Sequence, residues 1–193
     1  MENKLQNTWV FYEHPRNASG TNWTYTEIGC FDTIEKFWEL FICIPEPSKV
    51  MFNGEVFPKI ENRQIDGYSI FKKDIKPEWE DPSNSEGCEL RMHRGVFNLE
   101  HLNILWENIV LGLIGEMIEE TDEICGCRIT DKSKTGKGSS KSIYNIHVWL
   151  KYSDEKIVNR IKQKVIQTLA SGAHCKIPDF EIHSHKMLPM PTA

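Results

Sequence analysis

Tyr144-Asn145-Ile146-His147-Val148-Trp149-Leu150 carries the strand pattern of the chain. Tyr144, Ile146, Val148 and Leu150 alternate with Asn145, His147 and Trp149, the period of two expected of a strand packed under helices on one face and partly wet on the other. Further short runs have β-type composition: Thr8 to Tyr12, Thr24 to Ile28, Tyr68 to Lys72, Glu89 to Arg94, Cys125 to Thr130 and Asp179 to His183. Three segments have helical spacing instead. Asp32 before Thr33-Ile34-Glu35 has the form of a capping box with Glu35 reaching back, and Phe37, Leu40 and Phe41 make the buried side. A longer helix is expected from about Leu99 to Glu119, where Leu102, Leu105, Trp106, Ile109, Leu113 and Met117 recur at three- and four-residue steps. The last follows Ser153-Asp154-Glu155, with Ser153 as the candidate cap, the stripe Ile157, Ile161, Val165, Leu169, and Gly172 as the stop. Strands outnumber helices and hairpin-like spacings outnumber helical crossovers. The pattern predicts an α+β fold with an antiparallel sheet, helices on one face and function on the open face or its loops.

A chain of 193 residues, 39% hydrophobic and 26% charged, fits one domain over 1–193. No apolar run is long enough to cross a bilayer, so no membrane partner is expected. Met1-Glu2-Asn3-Lys4 carries no secretory signal, which predicts a chain that stays inside the cell. Cys30, Cys43, Cys88, Cys125, Cys127 and Cys175 show no framework spacing and are most simply free thiols in a reducing compartment. The net charge of −5 argues against coating long nucleic acid by bulk electrostatics and leaves room for a focal basic site.

Two loops stand out. Ile75-Lys76-Pro77-Glu78-Trp79-Glu80-Asp81-Pro82 has no apolar periodicity, and its prolines argue that Trp79 is displayed on a loop rather than packed on a stripe. Trp23 lies in an equally polar segment, so the two indoles suggest a base-stacking clamp. The Glu80 carboxylate can accept two coplanar hydrogen bonds, which suits the N1–H and exocyclic amine of guanine; the plain alternative is a solvated loop carboxylate. The second loop, Asp131 to Lys141, holds Lys132, Lys134, Lys137 and Lys141 among Gly and Ser. By itself it reads as a solvated hairpin tip, and next to the tryptophans as a cationic arm. The stretch from Pro45 to Gly67 mixes turn residues with isolated apolars and is given no role.

Trp9, Phe31-Asp32-Thr33-Ile34-Glu35-Lys36-Phe37-Trp38, Tyr68-Ser69-Ile70-Phe71, Ile75 through Asp81, Trp106, Leu113-Ile114-Gly115-Glu116, Cys125-Gly126 and Trp149 together resemble the eukaryotic translation initiation factor 4E family in order and spacing. The resemblance covers nearly the whole chain. It implies a curved antiparallel sheet of about eight strands with three helices on the convex face, and the messenger RNA 5′ cap in the concave mouth. It implies that Trp23 and Trp79 sandwich 7-methylguanine while Glu80 takes its hydrogen-bonding edge. N7 methylation makes the base a flat cation, so stacking gains dispersion and cation-to-ring attraction together. The family's phosphate contacts fall on Lys132 and Lys134, with another from Lys137 or Lys141. A further family arginine falls on Cys88, or on Glu89 if the gap moves, and Trp23 sits two residues nearer Phe31 than the family pattern places it.

The resemblance also implies a partner surface on the helices, carried by Ile34, Trp38 and Leu111, for a 4G-type scaffold factor or a 4E-binding repressor bearing a Tyr-x4-Leu-Φ helix. Glu107 and Asn108 stand where the family has leucine and glutamate, which predicts altered partner affinity. Trp38 could otherwise be core. A monomer in the cytoplasm, with the nucleus as a second location, is expected. The chain ends at Pro189-Met190-Pro191-Thr192-Ala193 without the family's longer loop and serine, so no phosphorylation switch is expected there.

Two rival functions compete with cap-dependent initiation. One is a cap-binding repressor or storage factor that does not recruit the scaffold, which Glu107 and Asn108 favour. The other is a Nudix-like cap hydrolase, suggested by Glu107, Glu116, Met117, Glu119 and Glu120. Its arginine falls on Gly115 and its glycines on His101 and Asp122, so the loop that would gather the acids around Mg²⁺ is not specified, and the acids read as helix-end groups in water. Cys125 and Cys127 lack two further zinc ligands, and His183 and His185 lack a nucleophile or carboxylate partner. No catalytic residue, metal or cofactor is expected.

Overall fold

The computed structural model describes residues 2–16, 24–92, 99–136 and 139–186, with the side chains of 100, 135, 136, 139 and 140 left undescribed. Trp23 and Lys137 lie outside the described residues, as does the C-terminal 187–193.

The elements run β1 (Lys4–Pro15), β2 (Thr26–Thr33), α1 (Ile34–Phe41), α2 (Pro47–Val50), β3 (Ile65–Lys72), β4 (Cys88–Met92), α3 (Leu99–Ile114), β5 (Ile124–Asp131), β6 (Lys134–Gly136), β7 (Ser139–Lys141), β8 (Tyr144–Leu150), α4 (Glu155–Ala170) and β9 (Phe180–Ser184). Seven strands form one sheet in the order β2-β1-β3-β5-β8-β4-β9, and β6 and β7 make a separate hairpin. Every pairing in the sheet is antiparallel. The sheet is curved and open, so the α+β expectation holds, with seven strands in the sheet and a fourth, one-turn helix in the segment given no role.

The period-two reading of β8 sorts its residues as expected. Tyr144, Ile146, Val148 and Leu150 join the large core with Leu105, Ile109 and Leu113 of α3 and Ile161, Val165 and Leu169 of α4. Asn145, His147 and Trp149 line a cavity on the other face. β1 divides likewise: Trp9 and Phe11 enter the large core, while Val10 and Tyr12 join Phe71, Ile75, Cys125 and Trp149 in a smaller cluster. Gly126 is required there, because a Cβ at this position would lie 2.6 Å from the Phe71 ring, which meets Trp149 edge-on at 5.3 Å.

Several local expectations are corrected. Thr33, not Asp32, caps α1, accepting from the Lys36 amide at 3.2 Å, and Glu35 reaches instead to the backbone and side chain of Asn3. Asp154, not Ser153, caps α4 through the amides of Lys156 and Ile157. α3 stops at Ile114; Glu116 adopts a left-handed φ of 54°, which turns Met117 off the stripe and leaves it 66% exposed. Glu119 is not a helix-end acid in water but is buried, 2.5 Å from Lys72, and accepts from the amides of Glu123 and Ile124. Glu116 accepts from Asn7, and Glu120 pairs with Arg160. The Pro45 to Gly67 stretch is pinned to the sheet: the Phe52 amide donates to Asp131 at 2.7 Å, and the Arg16 guanidinium lies 3.5 Å over the Phe57 ring.

Candidate nucleic-acid cap site

The loop between β3 and β4 is shaped by its own polar side chains. Asp81 accepts from the amides of Lys76 and Ser83 at 3.0 and 2.9 Å, an Asx-type turn. Fully buried Asn84 donates to the carbonyls of Lys76 and Glu78, both at 2.8 Å. Tyr25 donates its hydroxyl to Glu78 at 2.6 Å, tying the start of β2 to this loop. Burial, followed by that carboxylate, pushes the Tyr25 phenol up to about 12. The fixed loop presents Trp79, 45% exposed, and Glu80 at the rim of a cavity of about 710 Å³.

Beneath the rim the floor is cationic. Arg91 and Arg128 are both register partners of His147, so β4, β8 and β5 set Arg91, His147 and Arg128 in one cross-strand row. One row along, Glu89 is paired in register with Trp149. Glu89 is completely buried; its carboxylate takes the Arg91 guanidinium through Nε at 2.9 Å and through Nη2, and meets His147 Nδ1 at 3.1 Å. Burial pushes Glu89 up, but the His147 hydrogen bond, then Arg128 and Arg91, hold it well below the usual carboxylate range. Burial first, then Arg128, lowers His147 to about 4, so at neutral pH it is an uncharged donor to an ionised Glu89. Burial also lowers Arg128, to about 10, where it remains a cation, with its guanidinium 5.5 Å from the Trp149 ring centre. Lys132 joins the lining, and its ammonium is made easier to deprotonate by desolvation and by Arg128. Arg91, Arg128 and Lys132 against Glu89 leave this floor positively charged, which suits an anionic group.

The structure therefore brings together Trp79, Glu80 and Lys132, and separates Lys134 and Lys141. The latter two are Cα partners in the β6–β7 hairpin and do not line the cavity. The Cys88 thiol donates to the Tyr152 carbonyl at 3.3 Å, away from the floor, whereas Glu89 lies buried beneath the floor against Arg91 and His147. Arg91 and Arg128 were missed by the sequence reading. The available signal was charge in strand: Glu89 and Arg91 alternate on β4, and Arg128 sits inside β5, at positions where an apolar residue would mark a dry face.

On the helical face Ile34 and Trp38 are 43% and 39% exposed, so Trp38 is a surface ring that packs edge-on to Phe37 at 4.8 Å. Leu111 rests partly buried against the core. Asn108 turns inward, donating to the carbonyls of Leu169 and Ser171 at the end of α4.

A curved antiparallel sheet backed by helices thus carries an indole and a carboxylate at the rim of a cationic cavity. The family model described as Eukaryotic initiation factor 4E matches residues 4–192, and the chain belongs to that family. Among curated relatives, it is similar to translation initiation factor 4E1 of Drosophila melanogaster, 28% identical over 187 residues, covering 95% of this chain and 64% of the relative. It is 31% identical to the isoform 4E factor of Arabidopsis thaliana over 125 residues, 64% of this chain and 57% of that one. The chain thus spans less than two thirds of the length of these relatives. Among solved structures, Ascaris suum eIF4E-3 in complex with an m2,2,7G cap shares the fold with a TM-score of 0.74 at 24% identity, covering 100% of this chain and 96% of that chain. C. elegans eIF4E-3, solved with the 4E-binding protein Mextli and a cap analog, gives a TM-score of 0.73 at 23% identity over 96% and 94% of the two chains.

Proposed function

We propose that this protein binds the 7-methylguanosine 5′ cap of messenger RNA and supports translation initiation in the cytoplasm. The observation that carries the reading is the half-exposed Trp79 indole beside Glu80, at the rim of a cavity floored by Arg91, Arg128 and Lys132. The methylated base stacks on Trp79, with Trp23 as the second ring; the hydrogen bond from Tyr25 to Glu78 supports this, since it ties the residue two places after Trp23 to the Trp79 loop. Ionised Glu80 accepts from N1–H and the amine, and the phosphates lie towards the cationic floor. Stacking contributes about 1–3 kcal/mol per base and the cationic attraction about 0.5–2 kcal/mol when desolvated, enough to select the methylated form. Relatives solved with cap analogues support the same reading.

Ile34, Trp38 and Leu111 form the docking face for a Tyr-x4-Leu-Φ helix of a scaffold or repressor, and a relative solved with a 4E-binding protein supports a partner of this kind. A second reading, cap binding without scaffold recruitment, is favoured by one observation: position 108 is an asparagine, which has no carboxylate to offer a partner, and its amide is already engaged at the end of α4. Retention on immobilised 7-methylguanosine triphosphate, with release by the free methylated nucleotide but not by guanosine triphosphate, tests the cap reading; failure to bind the resin would sink it. A scaffold-type peptide that does not bind the cap-loaded protein would favour the second reading.

A further inference from the structure

Trp79 lines the cavity and also stacks against a residue that does not line it. His185, immediately after β9, stacks on the Trp79 ring with centroids 6.0 Å apart and planes 19° from parallel. The same imidazole meets Trp149 at 4.7 Å, so it is wedged between the rim indole and a ring of the floor. His185 is 5% exposed. Its Nδ1 lies 2.9 Å from the Asn84 carbonyl, and because a carbonyl only accepts, Nδ1 carries the proton. Asn84 is the residue whose side chain holds the carbonyls of Lys76 and Glu78, in the run of loop that leads directly into Trp79. The His185 amide donates to Gly87 at 3.1 Å, which fixes the far end of the same loop.

We propose that His185 is a positioning residue for base recognition: from just after β9 its ring, oriented by the Asn84 carbonyl, backs the Trp79 indole, so affinity for a cationic purine depends on a side chain that never touches the purine. The inference rests on the reading of the mouth as a cap site. An indole on a loop with no backing ring could tilt, and each tilted arrangement reduces the fraction of molecules ready to stack. A neutral aromatic ring stacked against the indole removes that freedom while leaving the indole electron-rich for a cation.

The test compares wild type, His185→Ala and His185→Phe in titrations with 7-methylguanosine triphosphate and guanosine triphosphate, followed by tryptophan fluorescence. Each protein is first checked for folding by near-ultraviolet circular dichroism. His185→Ala is expected to weaken methylated-nucleotide binding at least tenfold and to shrink the methyl preference. His185→Phe, which keeps a backing ring and loses both ring nitrogens, is expected to remain within about threefold of wild type. Wild-type affinity in His185→Ala, or equal loss in the alanine and phenylalanine variants, would overturn the positioning role. Absence of a methyl preference in the wild type itself would instead overturn the cap reading on which the role depends.

Discussion

The buried histidines of the site face make stability fall steeply with acid. His147 is lowered to about 4 by burial and then Arg128, and His14, whose Nε2 lies 2.7 Å from Ser69 Oγ, is lowered to about 3 by burial and then Arg128. In the unfolded chain both would protonate near pH ~6.5, so between that value and the folded values the unfolded state binds more protons. Stability is therefore fully present above about pH 6.5 and is lost as pH falls towards the folded pKa values. By linkage each histidine removes about 3 kcal/mol between pH 8 and pH 4.5, a large fraction of a typical domain's stability of about 5–15 kcal/mol. Glu89 works lower: with its folded pKa depressed, its contribution is present above the ordinary carboxylate range and is lost only at more acid pH. Urea titrations at pH 8, 6.5, 5.5 and 4.5 measure the slope. His147→Asn, whose amide can still donate to Glu89, should lose about half of the pH dependence while keeping a cooperative transition. A wild-type stability that stays level from pH 8 to 5, or an unchanged slope in His147→Asn, would refute the buried neutral histidine.

Other perturbations separate the parts of the molecule. Lys72→Met leaves the buried Glu119 carboxylate without its ammonium and should cost about 3–5 kcal/mol in urea denaturation, with cap affinity of the folded protein unchanged. Lys132→Met should reduce the salt dependence of nucleotide binding while preserving methyl preference, whereas Lys134→Met, in the hairpin outside the cavity, should leave the salt slope as in wild type; filter binding from 50 to 200 mM salt distinguishes them. Trp38→Ala should weaken a fluorescent Tyr-x4-Leu-Φ peptide by at least tenfold in anisotropy titrations and leave cap binding intact, because this ring lies on the helical face.

What could be read from the sequence was the part governed by local rules. The alternation through β8 identified both its core side and its site side, and the proline-flanked setting of Trp79 marked a displayed ring before any fold was known. The missing information was relational. Arg91 and Arg128 become a pair only because β8 lies between β4 and β5 with His147 in register with both. Nothing in the sequence near either arginine states that neighbourhood. Lys72 and Glu119 likewise meet across 47 positions of chain, which turns an apparent surface acid into a buried ion pair. Met117 was misplaced for a local reason: the left-handed Glu116 follows Gly115 and breaks the helical phase one step before it. By composition the lysine-rich arm is one cationic unit, but among its described lysines Lys132, at its base, is the one on the cavity.

The cap reading is tested most directly by titrating the protein with 7-methylguanosine triphosphate and with guanosine triphosphate under tryptophan fluorescence, alongside Trp79→Ala and Glu80→Ala. Deep quenching that favours the methylated nucleotide by at least about tenfold, lost in both variants with folding intact, is the predicted result. Weak or equal quenching by the two nucleotides, or full methyl preference retained in Glu80→Ala, would contradict it.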